Sequence, residues 1–248
     1  MTMWIKICGL TTPEAVTAAL DAGADAIGFV FAKSVRQVSA EMALRLAAPA
    51  RGRALCVAVT RHPSQQVIDE IVSVFKPDVL QTDAADLALL RLPTQLGLLP
   101  VMRGAGGKTE AAGGVGGREL PPVLRGAGDG RSAAGGGERG GQGRGQDGGD
   151  DGDDLVTLPR RLLFEGLTSG AGVPCDWTAA RRVARRTELV LAGGLNPANV
   201  GAAIAAVQPF GVDVSTGVEV RPGVKSPAEI MNFVRAAREP GAVCEVRV

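Results

Sequence analysis

The stretch Trp4-Ile5-Lys6-Ile7-Cys8-Gly9-Leu10 decides how the rest of the chain is organised. As a buried parallel strand it places Lys6 and Cys8 on one face and its two isoleucines on the other. The glycine then turns the chain, and Thr12-Pro13 is a typical helix start. Cys8 is therefore predicted at the carboxyl end of a strand, where α/β proteins bind ligands. Taken alone, such a cysteine is more often a small buried hydrophobic residue than a reactive group.

The overall composition is that of a globular protein with no broad affinity for nucleic acid or membrane surfaces. The chain has 248 residues, 45% of them hydrophobic, and a formal net charge of +1. This length suits one eight-fold α/β barrel, and the charge argues against a general binder of polyanions. No apolar run is long enough to cross a bilayer, and because the cysteines form no dense disulfide pattern, a reducing, cytoplasmic location is expected.

Cysteine and histidine usage argues against several kinds of site. The four cysteines lie far apart, without the paired spacing of a metal site or a dense disulfide framework. The chain's one histidine, His62, stands beside Pro63 at a predicted helix start, where a cap or surface role is expected. Catalytic triads and metal centres built on histidine are therefore not expected, and no metal is predicted.

Segments typical of strands and helices alternate along the chain. Eight strands joined by at least seven helices predict right-handed crossovers and a (β/α)8 TIM barrel over residues 1–238, followed by a tail at 239–248. No Gly-x-Gly-x-x-Gly fingerprint follows the first strand, which disfavours a dinucleotide-binding fold. After the opening stretch, the predicted strands are residues 26–31, 54–59, 78–81, 98–102, 161–165, 188–194 (with its turn) and 211–215.

A glycine-rich segment, residues 104–154, interrupts this pattern. It holds 20 of the chain's 35 glycines and very few large aliphatic residues, so it cannot bury enough apolar surface to offset its ordering entropy. We predict a disordered segment in place of the fifth helix, produced by a shifted reading frame or a degenerate insertion. An RNA-binding Gly-Arg tract is disfavoured, because acidic residues outnumber basic ones there and no aromatic residue is interleaved.

Two glycine-bearing turns after the seventh and eighth strands predict a phosphate site. In barrels these two loops commonly bind phosphate, because glycine lets backbone N–H groups approach the anion. The alternative is that the glycines merely close tight turns. The residues concerned are Gly193 and Gly194 after strand seven, and Ser215, Thr216 and Gly217 after strand eight.

Four side chains near strand ends are candidates for catalysis or substrate binding. Cys8 and Glu165 end strands one and six, across the barrel mouth from each other, and could serve as general base and general acid. Asp213 could bind substrate hydroxyls or pair with Lys6 on the neighbouring strand. Arg36 could hold a carboxylate through two hydrogen bonds, although a surface arginine is the simpler interpretation.

Taken together, several segments resemble the phosphoribosylanthranilate isomerase family of tryptophan biosynthesis. The resemblance covers roughly residues 3–102 and 158–238, with the segments in the family's order and spacing. The segments are Lys6-Ile7-Cys8-Gly9-Leu10-Thr11, Gly28-Phe29-Val30-Phe31, the loop with Ser34, Arg36 and Val38, Leu80-Gln81, Leu191-Ala192-Gly193-Gly194-Leu195-Asn196-Pro197 and Val212-Asp213-Val214-Ser215-Thr216-Gly217-Val218-Glu219.

The resemblance implies an Amadori rearrangement without a cofactor. A general acid would open the furanose ring of N-(5-phosphoribosyl)anthranilate to a Schiff base, and a general base would then remove the proton from C2′. The family's cysteine base is matched by Cys8. Its acid is usually an aspartate, in whose place this chain has Glu165.

The same resemblance implies the remaining binding residues and partners. Arg36 would hold the anthranilate carboxylate, Gln81 would bind substrate and Asp213 would lie near the ribose hydroxyls. Gly193, Gly194, Ser215, Thr216 and Gly217 would form the phosphate cradle. The expected partner is a small phosphorylated substrate rather than nucleic acid or a membrane, and the expected assembly is a monomer or a homodimer.

Two alternative functions are compatible with the same barrel. One is a degenerate phosphate-binding barrel without catalytic activity, because replacing the fifth helix would expose part of the sheet. The other is a sibling enzyme acting on a sugar phosphate, such as an epimerase or indoleglycerol-phosphate synthase. An epimerase would be expected to carry metal ligands and paired aspartates, and the synthase a catalytic lysine, so the Cys8 and Arg36 pattern favours the isomerase.

Overall fold

The computed structural model describes residues 2–105, 108–109, 158–166 and 175–239, and within them eight parallel strands close into a barrel. Each strand pairs with its neighbours in chain order, and β4 pairs with β5 as β8 does with β1. This is the predicted (β/α)8 fold. The strands are Trp4–Cys8 (β1), Ala26–Val30 (β2), Leu55–Val59 (β3), Val79–Asp83 (β4), Gly97–Ala105 (β5), Arg161–Glu165 (β6), Glu188–Leu191 (β7) and Gly211–Val214 (β8).

Seven α-helices lie between or after these strands in the described parts of the chain. Five of them begin where a side-chain oxygen accepts a hydrogen bond from a backbone N–H of the first turn, which satisfies a donor that the helix itself leaves unpaired. These capping residues are Thr12, Ser39, Ser64, Asp176 and Ser226. The helices are Pro13–Asp21 (α1), Ala40–Ala47 (α2), Gln65–Glu70 (α3), Ala84–Leu87 (α4), Trp177–Ala184 (α5), Val200–Val207 (α6) and Pro227–Arg238 (α7).

Two apolar cores result from the alternation of side chains along the strands. Outward residues such as Ile5 and Ile7 pack with the helices in the larger core. Inward residues form a second core inside the barrel, to which Trp4, Leu55 and Leu163 belong. The prediction that Lys6 and Cys8 share a face opposite the two isoleucines is therefore confirmed, and that face is the barrel interior.

The barrel interior changes from apolar to polar toward the carboxyl ends of the strands. Along β1 the inward residues are Trp4, then Lys6, then Cys8. The strand register places Lys6 level with Asp213 on β8 and Cys8 level with Gly28 on β2. Polar groups therefore collect at the end of the barrel where ligands are bound in this fold.

Two predicted helix starts were wrong. Ser64 rather than His62 caps α3, which begins at Gln65 rather than Pro63 and continues into a π-helical turn at Ile71–Phe75. Asn196-Pro197, like Thr12-Pro13, is a pattern that predicts a helix start, but the Asn196 side chain accepts hydrogen bonds from the backbone N–H groups of Ala198 and Asn199 in a turn, and α6 begins at Val200.

Two antiparallel pairings add to the barrel. Strand β5 extends to Ala105 and pairs with a two-residue strand, Lys108–Thr109, so the first residues of the glycine-rich segment belong to the sheet. The rest of that segment, and with it the predicted disorder, lies outside the described residues. After β8, Glu219–Arg221 pairs with Val224–Lys225 in a hairpin that the sequence did not predict. No helix within the described ranges is long and apolar enough to cross a membrane.

Candidate active site

One cavity opens at the carboxyl ends of the strands, and every residue predicted for the site lines it. The catalytic, substrate-binding and phosphate-binding candidates come from six strands or the loops that follow them, so the closure of the barrel is what brings them together. These residues are Cys8, Arg36, Gln81, Glu165, Gly193, Gly194, Asp213, Ser215, Thr216 and Gly217.

The Cys8 thiol lies buried beside a buried ion pair. Lys6 Nζ donates to Asp213 Oδ1 at 2.8 Å, and the Lys6 ammonium also acts electrostatically on the Cys8 thiol. A Cβ atom added at Gly28 would lie 3.1 Å from both Cys8 Sγ and Lys6 Nζ. The missing side chain at this position therefore leaves the space in which the thiol and the ammonium meet.

Opposing effects act on the protonation of Cys8. Burial raises the pKa of the thiol, and the Asp213 carboxylate raises it further, whereas the Lys6 and Lys225 ammonium groups lower it. The net pKa of Cys8 lies above its ordinary value, so a protonated thiol prevails in the free protein at neutral pH. The pKa of Lys6 is also raised, because Asp213 and Cys8 outweigh the effect of burial.

Arg36 is held by a carboxylate of the protein itself. Its Nε and Nη2 atoms donate to the two carboxylate oxygens of Glu219 at 2.7 and 2.8 Å, and Nη2 also contacts Thr216 Oγ1 at 3.2 Å. Glu219 accepts a further hydrogen bond from Lys225 Nζ at 2.8 Å. Burial alone would raise the pKa of Glu219, but the hydrogen bonds from Arg36 and Lys225 lower it to about 2.

Lys225 connects this carboxylate to the loop after β8. Its Nζ donates to the Ser215 backbone oxygen at 2.8 Å and to Ser215 Oγ at 3.2 Å. The side chain is fully buried, and burial is the main reason that its pKa is lowered. Neither Glu219 nor Lys225 was predicted as a site residue, although Glu219 ends one of the segments that carried the resemblance.

The glycine turns have the geometry of an anion cradle. Gly193 and Gly194 have φ angles of 92° and 63°, in the left-handed region that glycine adopts without strain. A Cβ atom at Gly217 would overlap the backbone oxygen of Leu195, so the loops after β7 and β8 touch only because this residue is glycine. All three glycines line the cavity.

On the opposite side of the mouth, Glu165 is joined to an unexpected arginine. Arg103 lies level with Glu165 on the neighbouring strand, and its Nη2 donates to Glu165 Oε1 at 2.8 Å. Its Nη1 donates to Asp83 at the end of β4. Burial lowers the pKa of Arg103, but the two carboxylates outweigh this and raise it. The guanidinium therefore stays charged between two strand-end carboxylates.

Several buried polar atoms in this region have no hydrogen-bond partner within the described residues. They are Gln81 Oε1, Asp83 Oδ2 and Arg103 Nε. Gln81 and Arg103 line the cavity itself. A buried polar atom without a partner is costly, so these atoms are suited to contact a polar ligand.

The single histidine lies at the rim rather than at the centre of the site. His62 Nδ1 is 2.9 Å from Asp86 Oδ1, and its Nε2 is 3.4 Å from Asp83 Oδ2. These three residues are close enough to hold a metal ion, but Arg103 and Arg61 already neutralise Asp83. The predicted surface role of His62 fits its two-thirds exposed side chain.

Comparison with known proteins identifies the family of this chain. The family model of N-(5'-phosphoribosyl)anthranilate (PRA) isomerase matches residues 5–95 and 154–236. The chain belongs to the phosphoribosylanthranilate isomerase family. The N-(5'-phosphoribosyl)anthranilate isomerases of Mesorhizobium japonicum and Rhizobium leguminosarum bv. trifolii are both 36% identical, over 96% of this chain and 96% and 95% of their own lengths.

A solved structure of the family has the same fold. The TrpF protein of Jonesia denitrificans is 28% identical, with a TM-score of 0.63 over 95% of this chain and 97% of that one. The family match spans both sides of the glycine-rich segment, so the barrel strands that carry Cys8 and Glu165 both belong to the phosphoribosylanthranilate isomerase framework.

Proposed function

We propose that this chain catalyses the Amadori rearrangement of N-(5-phosphoribosyl)anthranilate to 1-(o-carboxyphenylamino)-1-deoxyribulose 5-phosphate in tryptophan biosynthesis. The observation that carries the proposal is that Cys8, Glu165 and the glycine turns line one cavity at the carboxyl ends of the strands. Base, acid and anion cradle are the three elements that this reaction on a phosphorylated substrate requires. The family membership supports the same activity.

The two proton transfers are assigned to opposite sides of the mouth. Protonated Glu165 donates its proton to the furanose ring oxygen, and the ring opens to a Schiff base. The Cys8 thiolate then takes the proton from C2′, and the resulting enolamine relaxes to the aminoketose. General acid and base steps of this kind contribute typically about 10²–10⁴-fold each to the rate.

The surroundings of the two groups must change before the proton transfers. Burial and Asp213 favour the neutral Cys8 thiol, whereas catalysis needs a thiolate. Glu165 Oε1 accepts a hydrogen bond from the Arg103 guanidinium at 2.8 Å, whereas ring opening needs a Glu165 that donates a proton to the substrate. Substrate binding therefore has to change the electrostatics on each side, and Arg103 is the residue whose movement or loss would affect the acid most.

Substrate binding is assigned to the remaining predicted residues. The phosphate lies in the cradle of Gly193, Gly194, Ser215, Thr216 and Gly217, with Gln81 and Asp213 toward the sugar. Arg36 takes the anthranilate carboxylate, for which a cation with a planar fork is well suited. Because Glu219 occupies two of its nitrogens, a substrate carboxylate either replaces Glu219 or binds at the third nitrogen.

The test is complementation of a tryptophan auxotroph that lacks the isomerase, followed by assay of the purified protein. We expect growth with this chain, no growth with Cys8→Ser, and normal growth with Cys56→Ser. Cys56 is a buried thiol on the outer face of β3, so its replacement makes the same chemical change outside the cavity. A folded wild-type protein that neither complements nor turns over substrate would favour the degenerate phosphate-binding barrel.

The proposal extends to the protein's surroundings. A biosynthetic enzyme of this kind is expected in the cytoplasm, with a phosphorylated small molecule as its partner and as a monomer or a homodimer. Size-exclusion chromatography with light scattering would distinguish the two assemblies.

A further inference from the structure

Among the charged residues of the barrel interior, Lys6 has no part in the reaction proposed above. Its side chain is fully buried in the middle of the barrel, which is an expensive place for a charge unless the charge is used or well paired. Asp213 pairs with it at 2.8 Å, and the Cys8 thiol lies on the other side of the space above Gly28, where a Cβ atom would be 3.1 Å from both Cys8 Sγ and Lys6 Nζ. A purely structural ion pair would not need to lie beside the thiol.

Resting on the proposed role of Cys8 as base, we propose that Lys6 is a positioning residue that stabilises the Cys8 thiolate, and that Asp213 opposes it by sharing the ammonium. Gly28 provides the space for this arrangement, since a Cβ atom there would lie 3.1 Å from both Cys8 Sγ and Lys6 Nζ. Lys6 and Cys8 both lie on β1, and the strand register places Asp213 of β8 beside Lys6 and Gly28 of β2 beside Cys8.

The charges that face Cys8 support this role. The cations are Lys6 on its own strand, Lys225 on the hairpin after β8 and Arg36 on the loop after β2. The carboxylates among them are Asp213 and Glu219, and Glu219 binds both Arg36 and Lys225. Three cations and two carboxylates leave one positive charge unmatched, and a Cys8 thiolate would balance it.

The test measures the pH dependence of Cys8 alkylation by iodoacetamide, resolved by peptide mass spectrometry. The thiolate sulfur forms the new bond to carbon and iodide leaves, so the rate follows the thiolate fraction. Cys56 and Cys175 interfere little, because burial raises their pKa to about 12 and about 11. Mass spectrometry of the digested peptides reports the alkylation of Cys8 separately from that of the other cysteines.

Lys6→Met and Asp213→Asn are expected to move the pH midpoint of Cys8 alkylation in opposite directions. Lys6→Met removes the stabilising cation and should raise the midpoint by at least one pH unit, a tenfold loss of thiolate at a given pH. Asp213→Asn removes the opposing charge and should lower the midpoint. Lys33→Met, which removes an exposed cation from the rim of the same cavity, should leave it unchanged.

A second variant keeps the test valid if loss of Lys6 prevents folding, which circular dichroism would reveal. Gly28→Ala removes no charge but places a methyl group between the thiol and the ammonium, and it should also raise the midpoint. Equal midpoints in all folded variants, or shifts of the same sign for Lys6→Met and Asp213→Asn, would overturn the role of Lys6. Alkylation needs no turnover, so this outcome is distinguishable from failure of the isomerase activity itself.

Discussion

Buried charged groups are paired differently on the two sides of the barrel mouth. On the side of β1 and β8, Cys8 is surrounded by ion-paired groups, Lys6 with Asp213, and both Arg36 and Lys225 with Glu219. On the side of β4 to β6, one guanidinium donates to two carboxylates, and three buried polar atoms of that region have no hydrogen-bond partner among the residues that the structure describes. The proposed base therefore lies among ion-paired groups, which we call the closed side. The proposed acid lies on the open side, where a ligand could bind the polar atoms that have no partner.

Loss of the base is the largest change expected on the closed side. Cys8→Ser should lower kcat about 10³-fold or more while KM changes less than about threefold, because serine is a far weaker base of nearly the same size. Steady-state kinetics with Cys56→Ser as the matched control measures this. Undiminished turnover would show that another group removes the C2′ proton.

The corresponding test on the open side removes the proposed acid, Glu165. Glu165→Gln should lower kcat about 10²-fold with substrate affinity retained, because the amide keeps the shape but cannot donate the proton. Glu188→Gln, at the amino end of the neighbouring strand, is the control. If Glu165→Gln turns over normally, the acid is a different group, and Asp83 would be the next candidate.

The closed network should also be visible in acid stability. The pKa of Glu219 is about 2 in the folded protein, below its ordinary value, so it stabilises the fold above about pH 4.3 and loses this effect as the pH falls toward 2. The loss amounts to about 3 kcal/mol. Denaturant titrations at several pH values should show a weaker acid dependence in Glu219→Gln than in the wild type or in exposed Glu70→Gln. Equal dependence in all three proteins would contradict the buried network.

The smallest expected effect concerns the arginine of the open side. Arg103→Met removes the cation that donates to Glu165 Oε1 at 2.8 Å, and loss of a neighbouring positive charge should move the alkaline limb of the kcat profile upward. Arg61→Met, at the rim near the same Asp83, should leave that limb in place. A downward shift would mean that Arg103 assists the acid rather than opposing it.

The arrangement of the closed side was largely predictable from sequence, because strand direction and strand register fix the relative positions of its motif residues. A strand of known direction places Lys6 and Cys8 together, and the register then places Asp213 beside Lys6. The contact between Glu219 and Lys225 was not predicted. It depends on a hairpin that is held by contacts with Ser215 and Arg36, and no local turn signal in the sequence indicates that hairpin.

The open side was predicted only in part. Glu165 ends a recognisable strand, but nothing in the sequence distinguishes Arg103 from a surface arginine at the start of a glycine-rich segment. Its inward direction follows from β5 continuing to Ala105, beyond the predicted strand end. The same tertiary dependence explains α6, where the Asn196 side chain forms a turn that competes with helix initiation.

The pairing of β5 with β6 has a practical consequence for how the chain can be cut. Val101 lies level with Leu163 although the connection between these strands contains residues 106–154 of the glycine-rich segment. Because closing a longer loop costs only slightly more entropy, the barrel depends on the strand edges rather than on a covalent link at this point. Two separately expressed fragments divided within that segment should therefore associate through β4–β5–β6 pairing, which makes it a natural position for new termini or an inserted reporter domain.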